Sequence, residues 1–78
     1  MNLKTLQIIE SHLINEKLLA ETNMEHYLMD KNLSPEDRKD KILQELDKLK
    51  EYSLKLSFWS DFINKNVIIP EEGNNNNK

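Results

Sequence analysis

The chain has 78 residues, no cysteine and a net charge of −3 from 11 basic and 14 acidic side chains. This length allows one domain, the missing thiols exclude disulfides and thiolate-bound metal, and the mild charge excludes a general polyanion-binding surface. No segment is basic, so we expect no nucleic-acid partner.

The first predicted element is a helix over residues 2–31. Its apolar side chains return every three or four positions, which is the spacing of one helix face. The members of this stripe are Leu3, Leu6, Ile9, Leu13, Ala20, Met24, Tyr27 and Leu28. Lys17 interrupts the stripe, but its aliphatic stem can lie along an apolar surface while the ammonium reaches water. We therefore expect the stripe to face a second element.

Asp30 to Leu33 form the predicted turn, and the residues after it mark the start of a second helix over residues 35–67. Ser34 is a favourable N-cap, and Pro35 suits the first helical position. The next two residues are acidic, which suits the positive end of the helix dipole. Together these residues predict a sharply defined helix start.

The second helix carries a heptad seam, in which the step between inward-facing residues alternates between four and three. The predicted seam consists of Ile42, Leu46, Leu49, Ser53, Leu56, Ser60, Ile63 and Val67. Its two serines leave room for bulk from the first helix, at some cost in buried apolar area. On the exposed side, Asp37 with Lys41 and Glu51 with Lys55 are spaced for ion pairs.

The last segment, residues 70–78, has no apolar side chain, and we expect a disordered tail there. The preceding Val67, Ile68 and Ile69 either end the helix and fold back over its apolar end, or are extended. The predicted domain is therefore a hairpin that spans residues 1–69.

A short turn between two long helices requires them to lie antiparallel, so that facing residues have numbers that sum to about 65. We predict an all-α fold, a long antiparallel two-helix hairpin that dimerises into a four-helix bundle. Dimerisation is expected from size, because a chain this short buries only about 60% of its unfolded surface.

The sequence also holds more apolar surface than one hairpin covers. On the first helix the further apolar residues are Ile8, Leu18, Leu19 and Met29. On the second helix one further face carries Leu43, Leu54, Phe58 and Phe62, and the opposite flank carries Tyr52 and Trp59. Exposed apolar patches mark interaction sites. We predict that a protein partner or a second copy of the chain contacts Leu54, Phe58, Trp59, Phe62, Ile8 and Leu19.

Patterns for catalysis or metal binding are weak. His12 and His26 lie four helical turns apart, about 21 Å, and cannot share a metal within one chain. No acid is expected in an apolar context that would raise its pKa, the single Gly falls in the tail, and the serines lack a nearby base. We therefore expect a protein that is not an enzyme and uses no cofactor, metal or small-molecule substrate.

The stretch Leu43-Gln44-Glu45-Leu46-Asp47 resembles the Ser-Gln-Glu-Leu-Asp motif of the small sporulation-control aspartyl-phosphate phosphatases, which are also helical hairpins. It departs from that motif at the first position, where Leu43 stands in place of Ser. The resemblance implies an action on response regulators through Asp47.

The predicted architecture is also similar to that of the Rop family of plasmid copy-number proteins, whose hairpins dimerise into a four-helix bundle. Members of that family bind RNA with basic and polar residues of their first helices. Residues 1–32 here contain three Lys and five acidic residues, so the resemblance extends to the fold alone.

These patterns favour a non-enzymatic protein-binding module, a small helical regulator or inhibitor of a larger protein. One alternative is a structural coiled-coil dimer that serves assembly. The other is a phosphatase-type regulator that acts on response regulators.

Composition also bears on origin and location. Ten Asn and ten Lys suit an AT-rich genome, and a short helical chain suits a phage or mobile element. No stretch resembles the apolar core of a secretory signal, and none approaches the roughly 20 apolar residues of a membrane span. We therefore expect a cytoplasmic protein, or one of the host cytoplasm if phage-encoded, with no membrane partner.

Overall fold

A computed structural model describes residues 2–66, which form two helices packed side by side in opposite directions. Helix α1 spans Leu3–Met29 and helix α2 spans Pro35–Asn66. The hairpin measures 59 × 20 × 16 Å. The predicted all-helical hairpin is therefore confirmed for the described residues, and α1 ends two residues earlier than expected.

The starts of both helices are capped by polar side chains. Asn2 Oδ1 accepts hydrogen bonds from the backbone N–H groups of Lys4 and Thr5, at 2.6 and 3.4 Å. Ser34 Oγ accepts one from the backbone N–H of Asp37 at 3.1 Å. The predicted cap at Ser34 is confirmed. These bonds satisfy N–H groups that have no partner within the helix.

The turn is held by an arginine that lies beyond it. Arg38 Nε donates to the carbonyl oxygen of Tyr27 at 3.0 Å, and Arg38 Nη2 donates to those of Asp30 and Leu33 at 2.6 and 3.2 Å. Asp30 Oδ1 also accepts from the backbone N–H of Asn32 at 2.9 Å. The guanidinium thus ties the last turn of α1 to the connecting turn, and it strengthens the pairing of the Tyr27 and Asp30 carbonyl groups, which also accept long backbone hydrogen bonds.

The contact between the helices is narrow. Among the described residues, the buried apolar side chains are Leu6, Leu13 and Ala20, all on α1. Leu3 and Leu28 also belong to the predicted stripe, but both are exposed. They lie at its margins, roughly 60 to 80° around the helix from Leu13, and a two-helix contact covers only the narrower centre of such an arc.

The predicted seam of α2 is wrong on one side. Leu46 is 43% exposed and Ser60 is also exposed, whereas Tyr52 and Trp59 are partly buried against α1. The partly buried residues along α2 are Arg38, Ile42, Leu49, Tyr52, Ser53, Leu56, Trp59 and Ile63, and Glu45 is buried. Aromatic rings bury far more area than serines, so turning α2 toward Tyr52 and Trp59 outweighs the exposure of Leu46.

The antiparallel register agrees with expectation. His12 contacts Tyr52 and Asn23 contacts Glu45, which are pairs whose numbers sum to 64 and 68. Of the two ion pairs predicted on α2, Glu51 with Lys55 is confirmed at 2.7 Å. The pair of Asp37 with Lys41 is not among the ion pairs within residues 2–66.

Several predictions fall outside the described residues. They concern Val67 in the seam, residues 67–69 after it, and the tail at residues 70–78. Within residues 2–66, neither helix combines the length and the apolar content that crossing a bilayer requires.

Candidate protein-binding surface

The end of the hairpin opposite the turn carries three aromatic residues of α2, Phe58, Trp59 and Phe62, which we call the aromatic cluster. The rings of Trp59 and Phe62 stack with centroids 5.9 Å apart and planes at 23°. Phe58 is 66% exposed and Phe62 is also exposed. Trp59 is partly buried, because it also contributes to the contact with α1. The cluster therefore joins the hairpin interface to the open surface.

A small groove runs beside this cluster between the two helices. Its volume is about 100 Å³. The side chains that line it are Glu10, Leu56, Trp59, Ser60, Ile63 and Asn64. Trp59 thus forms one wall of a crevice at the open end, with a carboxylate of α1 on the other side.

The hairpin has two exposed sides, one on each side of the buried line that contains Leu13. His12, the residue before it, lies against Tyr52 with ring centroids 6.2 Å apart in an edge-on arrangement. Trp59 lies seven residues after Tyr52, so the aromatic cluster belongs to the same side. We call this side the aromatic flank. Ile14, the residue after Leu13, turns toward the opposite side.

Two predicted contact residues of α1 lie on the aromatic flank. Ile8 lies one turn before His12 and Leu19 lies two turns after it. Ile8 is 61% exposed. The numbers of Ile8 and Phe58 sum to about the value shared by facing residues of the two helices, so Ile8 lies level with the aromatic cluster. Leu19 is exposed about 16 Å further along α1, toward the middle of the hairpin.

The remaining predicted residue, Leu54, is exposed on the outer face of α2, one turn before Phe58. The structure therefore brings Trp59 and Phe62 into contact, with Phe58 adjacent and Ile8 at the same level. It leaves Leu19 and Leu54 at the margins. Whether these residues bind a partner stays a prediction.

A row of three lysines leads along α2 to the aromatic cluster. Lys41, Lys48 and Lys55 follow one another at intervals of seven and share their heptad position with Phe62. The Lys41 ammonium lies 5.5 Å from the ring centroid of Tyr27. The sequence analysis did not identify this row, although its spacing is visible in the sequence.

Lys55 is the lysine of the row nearest the cluster. Its ammonium donates a hydrogen bond to Glu51 at 2.7 Å and lies 4.9 Å from the ring centroid of Tyr52. The hydrogen bond to Glu51 is the main cause that raises the pKa of Lys55 above its ordinary value. Lys55 therefore stays cationic throughout the neutral range while half of its side chain remains exposed.

One carboxylate is buried between the helices, which the sequence analysis did not expect. Glu45 is 5% exposed. Asn23 Nδ2 donates a hydrogen bond to Glu45 Oε1 at 3.3 Å, and Lys48 Nζ lies 3.6 Å from Glu45 Oε2. Burial is tolerated because both carboxylate oxygens have a polar partner. The position could have been found from the spacing of seven that Glu45 shares with Tyr52.

The opposite side of the hairpin carries a second set of exposed apolar residues, which we call the aliphatic flank. It consists of Ile14, Leu18, Leu43 and Leu46. Leu43 follows inward-facing Ile42 and turns to the same side as Ile14. By the hairpin register Leu18 and Leu46 lie at the same level. This flank lies away from the aromatic cluster.

The other candidate features remain scattered. His12 and His26 are exposed, and within residues 2–66 no group of three or more His, Cys, Asp and Glu side chains could hold a metal ion. Asp47 is exposed on α2. In the stretch that resembles the phosphatase motif, Glu45 faces α1 and is withdrawn from the surface.

The chain matches no protein-family model, no curated protein and no solved structure.

Proposed function

We propose that this chain is a non-enzymatic protein-binding module, a small regulator or inhibitor of a larger protein, and that the aromatic cluster with Ile8 is its contact surface. The observation that carries the proposal is the exposure of Phe58 and Phe62 at the open end, where Phe62 stacks on the partly buried Trp59. Buried aromatic residues supply most of the energy at protein interfaces. Both rings project from the same helix, so the spacing of their backbone positions is set before a partner binds.

The charges beside the cluster define the kind of partner. The chain is acidic overall, yet the aromatic flank carries the row of Lys41, Lys48 and Lys55. A fitting partner presents an apolar pocket for Phe58 and Phe62 with carboxylates along one rim. Exposed lysines of this kind accelerate association and are sensitive to salt.

The first experiment identifies the partner. A photo-crosslinking residue is placed at Leu54, one turn from Phe58, and irradiated in the native host. The chain is proposed to come from a phage or mobile element, so the host cell is the place to look. Mass spectrometry then names the protein that is linked.

The second experiment tests the surface with the purified partner. Phe58→Ser and Phe62→Ser are each expected to weaken binding about 30-fold, since a central interface residue contributes 2 kcal/mol or more. Met29→Ser is the matched control, because it also removes an exposed apolar residue but at the turn end. Calorimetry gives the affinity and circular dichroism checks the fold. Equal losses for all three variants would refute the proposed surface.

The alternatives give different results with the same variants. In a structural dimer that is held together by the aromatic cluster, Phe58→Ser and Phe62→Ser change the molecular mass or melt the helices. In a phosphatase-type regulator, Asp47→Ala abolishes action on a phosphorylated response regulator and leaves the fold intact. In the proposed module, Asp47→Ala leaves partner affinity unchanged, because Asp47 lies outside the aromatic cluster.

A further inference from the structure

The aliphatic flank carries exposed apolar side chains that a second copy of the chain can cover. We propose that it binds a second copy of this chain, with the two-fold axis parallel to the hairpin, so that α1 of each copy packs on α2 of the other. This assigns self-association to residues outside the predicted contact set. It does not depend on the proposed partner, because the aromatic cluster lies on the opposite side and stays free.

The two helices bury few apolar side chains between them. The buried apolar side chains within residues 2–66 are Leu6, Leu13 and Ala20, which form a single thin line. Leu18 is 52% exposed, although it lies at mid-length among other aliphatic residues. A second hairpin laid on this flank would enclose these side chains between four helices instead of two.

The flank is also large enough. The two helices lie side by side over the length of α1, about 40 Å, and the hairpin is 20 Å wide, so the shared face has a projected area of about 800 Å², which matches the roughly 800 Å² per partner of a standard stable interface. Since the whole length of both helices is available, two copies can make a contact of ordinary size without any change in the hairpin.

The direction of the axis fixes which residues meet. Rotation about an axis parallel to the helices involves no shift along them, so each residue keeps its level. A residue of α1 therefore meets the same region of α2 in the second copy as in its own. Leu18 of one copy meets Leu46 of the other, and Glu25 meets Lys39.

Charge favours this axis over the perpendicular one. On the aliphatic flank α1 carries Glu10, Glu21 and Glu25 with a single cation, Lys17, whereas α2 carries Lys39 and Lys50 with a single acid, Asp61. A perpendicular two-fold axis would place α1 against α1 and bring carboxylates together. The parallel axis places a flank of net negative charge on α1 against a flank of net positive charge on α2, so opposite net charges meet across the interface.

The absence of cysteine from the natural chain makes a direct test possible. Leu18→Cys and Leu46→Cys are made as separate full-length proteins, mixed and oxidised. We expect a disulfide-linked pair containing one copy of each variant, because Leu18 lies opposite Leu46 across the interface. Each variant oxidised alone should give little linked product. The two α1 helices lie at diagonally opposite corners of the four-helix arrangement, and so do the two α2 helices, so identical residues do not meet.

A second measurement tests the contact without a covalent bond. Sedimentation should show a wild-type dimer, while Leu18→Glu and Leu46→Lys are each monomeric and their mixture regains the dimer through one Glu–Lys contact. Phe58→Ser with Phe62→Ser should remain dimeric, which separates this inference from the partner proposal. A wild-type monomer at millimolar concentration would overturn the inference. Efficient linkage of Leu18→Cys to itself, or a dimer unaffected by Leu18→Glu, would do the same.

Discussion

The two ends of the hairpin differ in what their residues do. At the turn, Arg38 closes three carbonyl groups of the chain and Ser34 caps α2, so polar groups are used up within the molecule. At the open end, Phe58 and Phe62 are exposed, and the contact described for them is the stacking of Phe62 on Trp59. The difference indicates that the turn end contributes stability, while the open end is available for contacts with other molecules.

The middle of the hairpin contains a polar contact between the helices that neither end has. There Asn23 donates a hydrogen bond to the buried carboxylate of Glu45 between the two helices. Burial of a paired carboxylate adds little stability compared with apolar packing, but it penalises any register in which the pair is separated. This contact therefore specifies how the two ends are aligned.

The strongest test is at the turn. Arg38→Ala removes charge-assisted hydrogen bonds to three carbonyl oxygens and should lower the free energy of unfolding by about 2 to 3 kcal/mol. Urea denaturation followed by circular dichroism measures the change. Lys31→Ala is the control, because it removes an exposed cation from the same turn and should cost less than about 0.5 kcal/mol. Equal effects would show that Arg38 does not hold the turn.

The next expectation concerns the middle. Replacing the pair together, with Glu45→Leu and Asn23→Leu, should raise the free energy of unfolding by about 1 to 2 kcal/mol, since apolar residues of similar volume avoid the cost of desolvating a carboxylate. Glu45→Ala alone should lower it, because Asn23 loses its partner and a cavity remains. Thermal and urea unfolding compare the two variants. A double variant less stable than the wild type would contradict this account.

A smaller effect is expected at the cap. Ser34→Ala removes the acceptor for the backbone N–H of Asp37 and should lower the free energy of unfolding by about 1 kcal/mol. Ser57→Ala, on the exposed surface of α2, should change it by less than about 0.5 kcal/mol. Amide hydrogen exchange should show the lost protection in the first turn of α2 for the cap variant only.

The smallest effect is expected at the open end. Phe58→Ser should change the free energy of unfolding by less than about 0.5 kcal/mol, because the ring has few contacts to lose within the hairpin. Urea denaturation over a range of protein concentrations measures it. A loss above about 1 kcal/mol would show that the ring is covered in solution and would remove the contrast between the ends.

Local rules predicted much of this fold. The segment from Ser34 to Asp37 combines a cap, a proline and two acids within four residues, and the helix begins where these indicate. The apolar period located both helices, and the short turn gave the antiparallel register. Each of these properties depends on residues that are close in sequence or on geometry shared by all helices.

The seam of α2 could not be chosen from the sequence in the same way. Leu46, Ser53 and Ser60 are spaced by seven, and so are Glu45, Tyr52 and Trp59. The choice between the two rows depends on how much area each buries against α1. The spacing of apolar residues in the sequence does not give this buried area. The sequence analysis gave more weight to Leu46 than to the two aromatic rings, and for that reason it did not find Glu45 either.

The role of Arg38 could not be predicted from the sequence either. Its partners are backbone carbonyl groups 5, 8 and 11 residues earlier, and no side-chain pattern marks them. Candidate contact residues were easier to identify, because Phe58 and Phe62 fall outside any inward-facing row. The row of lysines beside them was missed, since charge was counted by segment and not by helix face.

Trp59 is the single tryptophan of the chain and stands where the hairpin interface meets the aromatic cluster. Its indole emission is therefore a built-in optical probe of the open end. Docking of another molecule on Phe62 removes water from one face of the indole and should shift the emission toward the blue. Unfolding exposes the same ring and should shift it toward the red, so one spectrum distinguishes occupancy of the site from loss of structure.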